Sequence, residues 1–504
     1  MEILVLAPFA AVEAYHYPLM ALARELGALG HRLTMVHCRR AMDTGCTAMN
    51  ALNVSDRAGI SEKAKVCARC IQRAEASERV GFWDTRWLEP GKDAGPVDFR
   101  RLGITPAQIR NCAAYELLLQ RKAETIPRDS DFVEPWRMRE KALRGILPQA
   151  VRILEEKKYQ GLICYNSLYG IHRIFLEMGH HRGISTLSLH HSLNAGEEDG
   201  FVLFRDNVFS FLEELKRRFP QKGPLDRGDQ EAIRRHENAL FRSQKLWSYS
   251  TPHKKGFQGE GKKDFLRKAL VCLSSPDEVF AARFAGVLPP SRKPAFADQV
   301  AWIRWVRQKA REHPETLFWI RPHPRLFPNR RERQMSSLGV KLEKERKKPH
   351  PANFFWPPEA EQGSVWQHLA DTDVLLNAWS TLGEPFGRRG VPVMTFFPGY
   401  ANSGDRVGWT ARTPRGFSLL LARLLRQPRA WSHAVSSDVW TGDYLTHNRF
   451  RLRIKPRWWA RIFIRLARGI RREEFFLKGL IFRDPFGFSG RKTLVRMLAN
   501  MGEP

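Results

Sequence analysis

Residues 317–326 read LFWIRPHPRL and set an arginine and a histidine where a buried strand must stop. Leu317, Phe318, Trp319 and Ile320 form the unbroken apolar run of a strand covered on both faces. Pro322 and Pro324 cannot donate to a ladder, and each pushes the residue before it, Arg321 and His323, into extended backbone. Ligands of open α/β sheets bind beyond the carboxyl ends of strands, so a guanidinium and an imidazole placed there read as an anion site. A second stretch, NAWSTLGEPFGRRGVPV from Asn377, carries the same chemistry. There a strand feeds a helix through Ser380, Thr381, Leu382 and Gly383, which aims backbone N–H groups, two hydroxyls and a helix N-terminus at one spot. A plain helix cap without a ligand explains that stretch equally well when it is taken alone. Ser274 and Ser275 end a third strand, and chance aligns three such loops less easily than one.

The elements that must hold these loops follow a β-α-β rhythm. ILVLAPF (residues 3–9) reads as a strand, the next segment as a helix stopped at Gly30, and Leu33–Val36 as a second strand. Residues 38–100 show no clean period and read as an insertion. A helix restarts with Thr105 as N-cap and Pro106 at its first position, and a further helical stretch covers 137–158. GLICYNSLYG and GISTLSLHHSLNAGEEDG then read as two more parallel strands. The Gly- and Lys-rich segment 245–268 reads as a linker, followed by a second αβ series. In it Ser275, Pro276 and Glu278 have the spacing of a capping box. The expectation is an α/β chain of two Rossmann-like domains facing a cleft, 1–245 and 246–440, with a tail from 441 to 504.

The order SSPDE, a tryptophan-bearing helix, RPHP, then STLGE and GVP resembles the C-terminal half of bacterial surface-polysaccharide glycosyltransferases of GT-B architecture. These are capsule-type enzymes related to the glycerophosphotransferases of teichoic acid synthesis. The resemblance covers roughly residues 268–398, and in the N-terminal half it extends to the β-α-β opening and YNSLYG. It implies that Arg321, His323, Ser380 and Thr381 hold a nucleotide-sugar's diphosphate and sugar, with Ser274, Ser275, Gly383 and Glu384 completing the donor site. Glu384 departs from the pattern. The family's glutamate stands two residues past the glycine, whereas here Glu384 follows Gly383 directly and Pro385 takes the next place, so the ribose contact does not carry over unchanged.

In glycosyl transfer the nucleotide leaves with added negative charge, and preorganised donors such as Arg321 and a helix N-terminus stabilise it without a metal. The acceptor hydroxyl needs a base from across the cleft. Glu13 and His16, after the first strand, and His190 or His191, at the end of STLSLHH, are of the right type and place. Against each stands an ordinary structural role.

Cys38, Cys46, Cys67 and Cys70 fall in the insertion. Cys67 and Cys70 form a CxxC pair, half of a zinc knuckle, while the Cys38–Cys46 gap exceeds the usual spacing. A structural zinc would hold so irregular a segment, and scattered reduced thiols are the alternative. Cys112, Cys164 and Cys272 lie in apolar patterns and read as core.

The chain has 504 residues, and 83 Lys and Arg against 53 Asp and Glu leave a net charge of +30. Such an excess calls for a polyanionic neighbour, whether nucleic acid, anionic membrane or phosphorylated substrate. From Arg449 to Arg472 there is no acid, and Trp458, Trp459, Ile462, Phe463, Leu466 and Ile470 recur at helical spacing among arginines. That pattern predicts an amphipathic helix lying on an anionic membrane, or else one packed back across the domains. No run reaches the length of a membrane span, and the N-terminus has an acid where a signal peptide carries basic residues, so a cytosolic, membrane-peripheral protein is expected.

The leading reading is therefore transfer of a sugar to a lipid-linked or growing surface glycan, with no catalytic cofactor. Transfer of a polyol phosphate from a CDP-linked donor fits the same loops, and a nucleotide-sugar epimerase shares the plan. Nucleic-acid binding is disfavoured, because no finger spacing, RRM-like aromatic motif or recognition helix is present.

Overall fold

The computed structural model describes residues 1–91, 98–191, 200–211, 231, 238, 264–288, 293–329, 332–358, 364–380, 382–397, 409–427, 451–456, 486–489, 491, 494–495 and 498. The N-terminal series comprises β1 (Glu2–Leu6), α1 (Glu13–Ala28), β2 (Arg32–Cys38), α2 (Thr47–Ala51), α3 (Ile60–Val80) and β3 (Asp84–Leu88). It continues through α4 (Phe99–Leu102), α5 (Pro106–Gln120), α6 (Ser130–Glu156), β4 (Gly161–Tyr165), α7 (Gly170–His181), β5 (Ser185–His191) and β6 (Gly200–Arg205). Strands β3, β2, β1, β4 and β5 are parallel neighbours in that order, and β6 runs antiparallel to β5. β1 and β4 are almost wholly buried, as continuous apolar runs inside a parallel sheet must be.

The second series comprises β7 (Arg267–Cys272), α8 (Pro276–Phe284), α9 (Gln299–Glu312), β8 (Thr316–Arg321), α10 (Ser337–Arg346) and β9 (Phe354–Phe355). β10 (Val374–Asn377), α11 (Gly383–Arg388), β11 (Val393–Thr395) and α12 (Pro414–Arg426) complete it. The order β11-β10-β7-β8-β9 is parallel throughout. All five carboxyl ends therefore lie on one edge, and the strand order reverses at β7, the switch point where α/β sheets bind ligands. The expected α/β class with two Rossmann-like sheets is what the chain forms.

Local chemistry explains the punctuation. Thr105 and Gln108 form a reciprocal capping box on α5 with Pro106 at its first turn. The helices before β2 and β11 end at Gly30 (φ 85°) and Gly390 (φ 77°), in the left-handed region glycine adopts without a Cβ penalty.

Three expectations are corrected. Residues 60–80, read as part of an aperiodic insertion, are α3, and β3 extends the sheet beside β2. The period escaped because α3 buries small residues and Cys67 and Cys70 between many charges. Residues 451–456 and 486–489, in the tail expected to be an amphipathic helix, are strands. β12 (Arg451–Pro456) pairs with β6 and β13 (Phe486–Ser489) with β12, so the chain returns to the N-terminal sheet. The remaining tail residues that carry the membrane expectation, from Arg457 to Asp484, lie outside the described residues. The third correction is at α8, where Ser275 is the N-cap residue but its side chain does not cap; its hydroxyl donates to Asp277 Oδ1 instead.

The two sheets are joined through α5 and the segment after β8. Lys122 is fully buried and donates from Nζ to the carbonyls of Phe327 (2.5 Å) and Gln334 (2.9 Å). Gln334 donates to the Gln120 carbonyl (2.8 Å), and Glu124 accepts from Ser337 Oγ and Leu338 N, each at 2.7 Å. Ala281, Ala282, Ala285 and Val287 of the α8 region pack into the N-terminal core.

Candidate functional site

At the carboxyl edge of the second sheet, Arg321 closes β8 and is buried, which brings its guanidinium down to about 10. His323 follows in extended backbone (φ −70°, ψ 132°). Its Nδ1 accepts from the Arg325 amide at 3.2 Å, so the proton sits on Nε2. Burial and the cations of Arg325, Arg321 and Lys122 hold His323 down to about 3, so it acts as a neutral hydrogen-bond donor.

Arg325 anchors the loop. Its guanidinium meets the buried Asp277 carboxylate at 2.8 Å and Glu332 at 3.2 Å, and it donates to the Leu119 carbonyl across the domain junction at 3.0 Å. Sequence reasoning took the Arg321 and His323 motif but left out Arg325 and Lys122, whose roles come from residues 48 and 205 positions away.

Ser274 is buried, with its amide and carbonyl both bonded to the Gln299 side chain at 2.8 and 2.9 Å. Ser380 lies in a turn built by Asn377, whose amide group donates to the Ser380 carbonyl (2.7 Å) and accepts from its N–H (3.0 Å). The helix beyond starts at Gly383 and spans six residues, so its dipole is shorter than the sequence pattern implied. Thr381 and the Glu384 side chain lie outside what the structure describes. The structure thus places Ser274, Ser275, Arg321, His323 and Ser380 after β7, β8 and β10, on one edge.

The proposed bases occupy the corresponding edge of the first sheet. Glu13 opens α1 and is bound to the buried Arg73 at 2.7 Å, so it is committed to an ion pair. His16 is buried, with Nε2 2.8 Å from Ser77 Oγ. The Ser77 hydroxyl spends its proton on the Arg73 carbonyl (2.9 Å), so His16 carries its hydrogen on Nε2. The His16 Nδ1 lone pair has no partner, and His16 lines a small cavity with Phe9, Tyr15, Tyr165 and His172. Burial, then His37 and Arg73, lower its pKa well below the ordinary 6.5, so it is a neutral imidazole presenting a bare nitrogen.

His172 repeats the arrangement. Its Nδ1 donates to the Asn166 carbonyl (3.1 Å), leaving Nε2 unpartnered, and burial lowers it to about 4. Asn166 turns the chain after β4 in the left-handed region (φ 56°). Tyr15 stacks on Tyr165 at 4.7 Å, offering an aromatic face beside the two bare nitrogens. His190 is not at this cavity. It lies flat over Tyr165 at 6.4 Å with Nδ1 bonded to the His191 carbonyl (2.9 Å), and His191 stacks on Phe201 at 4.7 Å. His172, Tyr15 and Tyr165 were missed by sequence reasoning. The only signal was YNSLYGIH itself, a turn that delivers aromatic and imidazole groups to one strand end.

Cys38, Cys46, Cys67 and Cys70 converge on one cavity with Pro8 and Phe9. Burial pushes Cys38 up to about 11 and Cys70 up to about 12. Among the described residues, no three His, Cys, Asp or Glu side chains are grouped so that they could hold a metal ion, so the geometry offers no single-ion zinc site.

No family model matches the chain, and no curated protein matches it. Among solved structures it is similar to Thermosulfurimonas dismutans KpsC, beta Kdo 2,4 transferase, with 13% identity, 60% of this chain and 88% of that chain covered, and a TM-score of 0.37. It is also similar to CalG4, the calicheamicin glycosyltransferase, with 14% identity, coverage of 93% and 99%, and a TM-score of 0.29. A UDP-N-acetylglucosamine 2-epimerase matches with 10% identity, coverage of 93% and 97%, and a TM-score of 0.29. Scores at this level carry no function across, and the fold reading rests on the two sheets themselves.

Proposed function

We propose that the chain is a GT-B glycosyltransferase that moves a sugar from a nucleotide-sugar donor to a lipid-linked or growing surface glycan. The observation that carries this reading is the pairing of two strand-end edges with opposite chemistry. One gathers Arg321, His323, Ser274, Ser275 and Ser380; the other has a neutral imidazole with a bare nitrogen beside stacked tyrosines. In this mechanism Arg321 neutralises the leaving diphosphate, and His323 Nε2–H and Ser380 bond its oxygens. In this reading Thr381 and the Gly383 amide complete the donor site.

His16 Nδ1 takes the acceptor hydroxyl's proton as that oxygen attacks the anomeric carbon and the bond to the nucleotide breaks. Ser77 and the Arg73 carbonyl keep the proton on Nε2, so Nδ1 stays available. The tail, with Trp458, Trp459 and Phe463 among its arginines, brings the enzyme to an anionic membrane where lipid-linked acceptors reside.

Incubation with a panel of nucleotide-sugars and CDP-polyols, followed by mass spectrometry, tests the reading. Glycosyl transfer with release of the nucleotide is the expected result. Release of CMP with a new phosphodiester would replace it by polyol-phosphate transfer, and isomerised donor without an acceptor by epimerisation.

A further inference from the structure

Two buried imidazoles line one small cavity at the carboxyl edge of the first sheet, and the hydrogen bonds behind them fix both tautomers. His16 and His172 are 2% and 1% exposed, and each holds one ring nitrogen, Nδ1 and Nε2 respectively, with no hydrogen-bond partner. His172 gives its Nδ1 hydrogen to the Asn166 carbonyl at 3.1 Å, as His16 gives its Nε2 hydrogen to Ser77 at 2.8 Å. Each unpartnered nitrogen is therefore a lone pair that needs a donor. Buried acceptors left without one cost free energy, and native interiors pair nearly all of them.

Local structure sets His172 in place. Asn166 turns left-handed after β4 (φ 56°), and α7 begins at Gly170, where a Cβ would stand 3.0 Å from the Cys112 carbonyl oxygen. That close approach puts His172 in the first turn of α7, with its ring 5.0 Å from that of Phe9. Burial, and with it the positive end of the helix, keeps the ring neutral.

The size of the space selects the donor. The cavity has room for about one water molecule. Among the described residues that line it, Tyr15 alone is half-buried and the rest are buried, so it meets solvent at Tyr15. A sugar hydroxyl carries one hydrogen on a bulky group and satisfies one nitrogen at most. A water carries two hydrogens on one small oxygen and satisfies both, and its oxygen still accepts from a group arriving past Tyr15.

We propose that a single water held by His16 Nδ1 and His172 Nε2 relays the acceptor's proton to His16. The inference rests on the glycosyl-transfer reading and adds the path that the proton takes. As the acceptor oxygen bonds to the anomeric carbon and the bond to the nucleotide breaks, the acceptor's O–H proton passes to the water, and one of the water's own protons passes to Nδ1. The water is regenerated, and His16 leaves the step as an imidazolium. His172 takes no proton. It is a positioning residue, which holds the water's second hydrogen.

A high-resolution crystal structure of the full chain without substrate tests the water by itself. One water about 2.7–3.2 Å from both nitrogens is expected. No water there, or one that touches a single nitrogen, overturns the proposal whatever the chain transfers. The single-turnover rate of transfer, measured across mixtures of light and heavy water, should curve as two protons in flight require. Sugar transfer with a straight or flat profile is a failure of the relay alone, whereas absence of any sugar transfer is the separate failure of the parent reading and removes the relay with it. His172→Met, which keeps bulk but removes the acceptor, should lose the water and lower kcat about tenfold or more with donor KM unchanged. His172→Gln, whose amide oxygen accepts in place of Nε2, should recover part of that loss, and a Met variant as active as wild type overturns the proposal. If His172→Met does not fold, the wild-type structure and isotope profile decide.

Discussion

His16 shows how far a residue's role departs from its type. A histidine after a first strand could be solvated, structural or basic, and two hydrogen bonds decide among these. Ser77 fixes the tautomer, and burial keeps the ring neutral. Because its folded pKa lies below the ordinary 6.5, the base stays competent as pH falls past 6.5 and fails only as pH falls through the lower folded value. The acid limb of kcat should therefore lie well below that of a free imidazole. His16→Gln, which keeps a donor toward Ser77, should lower kcat by about 10²–10⁴-fold with donor KM little changed. A variant within threefold of wild type would move the base elsewhere, and a pH profile breaking at the ordinary value would do the same.

The same depression has a stability sign. His37 and His172, each held to about 4, contribute stability that is present above 6.5 and lost as pH falls from there toward 4.

At the scale of elements, the loop after β8 is anchored by paired charges behind it. Arg325 has Asp277 and Glu332 as buried partners, and removing it leaves the Asp277 carboxylate buried with a lone Ser275 hydroxyl. Arg325→Ala should destabilise the fold by about 3–5 kcal/mol in denaturant unfolding, and the Arg325→Met, Asp277→Asn pair should recover part of that loss. Additive losses would mean the pair is not coupled.

Strands β1, β2, β4, β5 and β8, the Gly30 stop, the α5 cap and the RPHP loop could be read from the chain, because each depends on neighbours within one or two turns. α3 could not, since small residues and cysteines blur its apolar face. Nor could β12, because a strand pairing with a partner some 250 positions earlier leaves no local period. At the site, Arg321, His323 and Ser380 announced themselves through proline and turn chemistry. Lys122, Arg325 and His172 act through backbone carbonyls distant in sequence or across a turn, and no residue pattern marks those.

At the scale of the whole molecule, the tail has two duties that a single truncation would confuse. β12 covers the β6 edge and Leu452 is fully buried, so cutting the chain before Arg449 would bare that edge and lose solubility whatever the tail does at a membrane. Trp458→Ser, Trp459→Ser and Phe463→Ser together, leaving β12 intact, should sharply reduce cosedimentation with anionic vesicles at moderate salt. Unchanged binding would assign the arginines to another partner.

The central claim is that a donor nucleotide sits on the Arg321 edge of the second sheet. Thermal melting of the wild type and of Arg321→Ala, each with saturating UDP, TDP, CDP or CMP, tests it most directly, since a ligand bound only by the folded state raises Tm by mass action. At least one of these nucleotides should raise the wild-type Tm by several degrees and leave that of Arg321→Ala unmoved. No shift with any of them, or an equal shift in both proteins, would contradict the account.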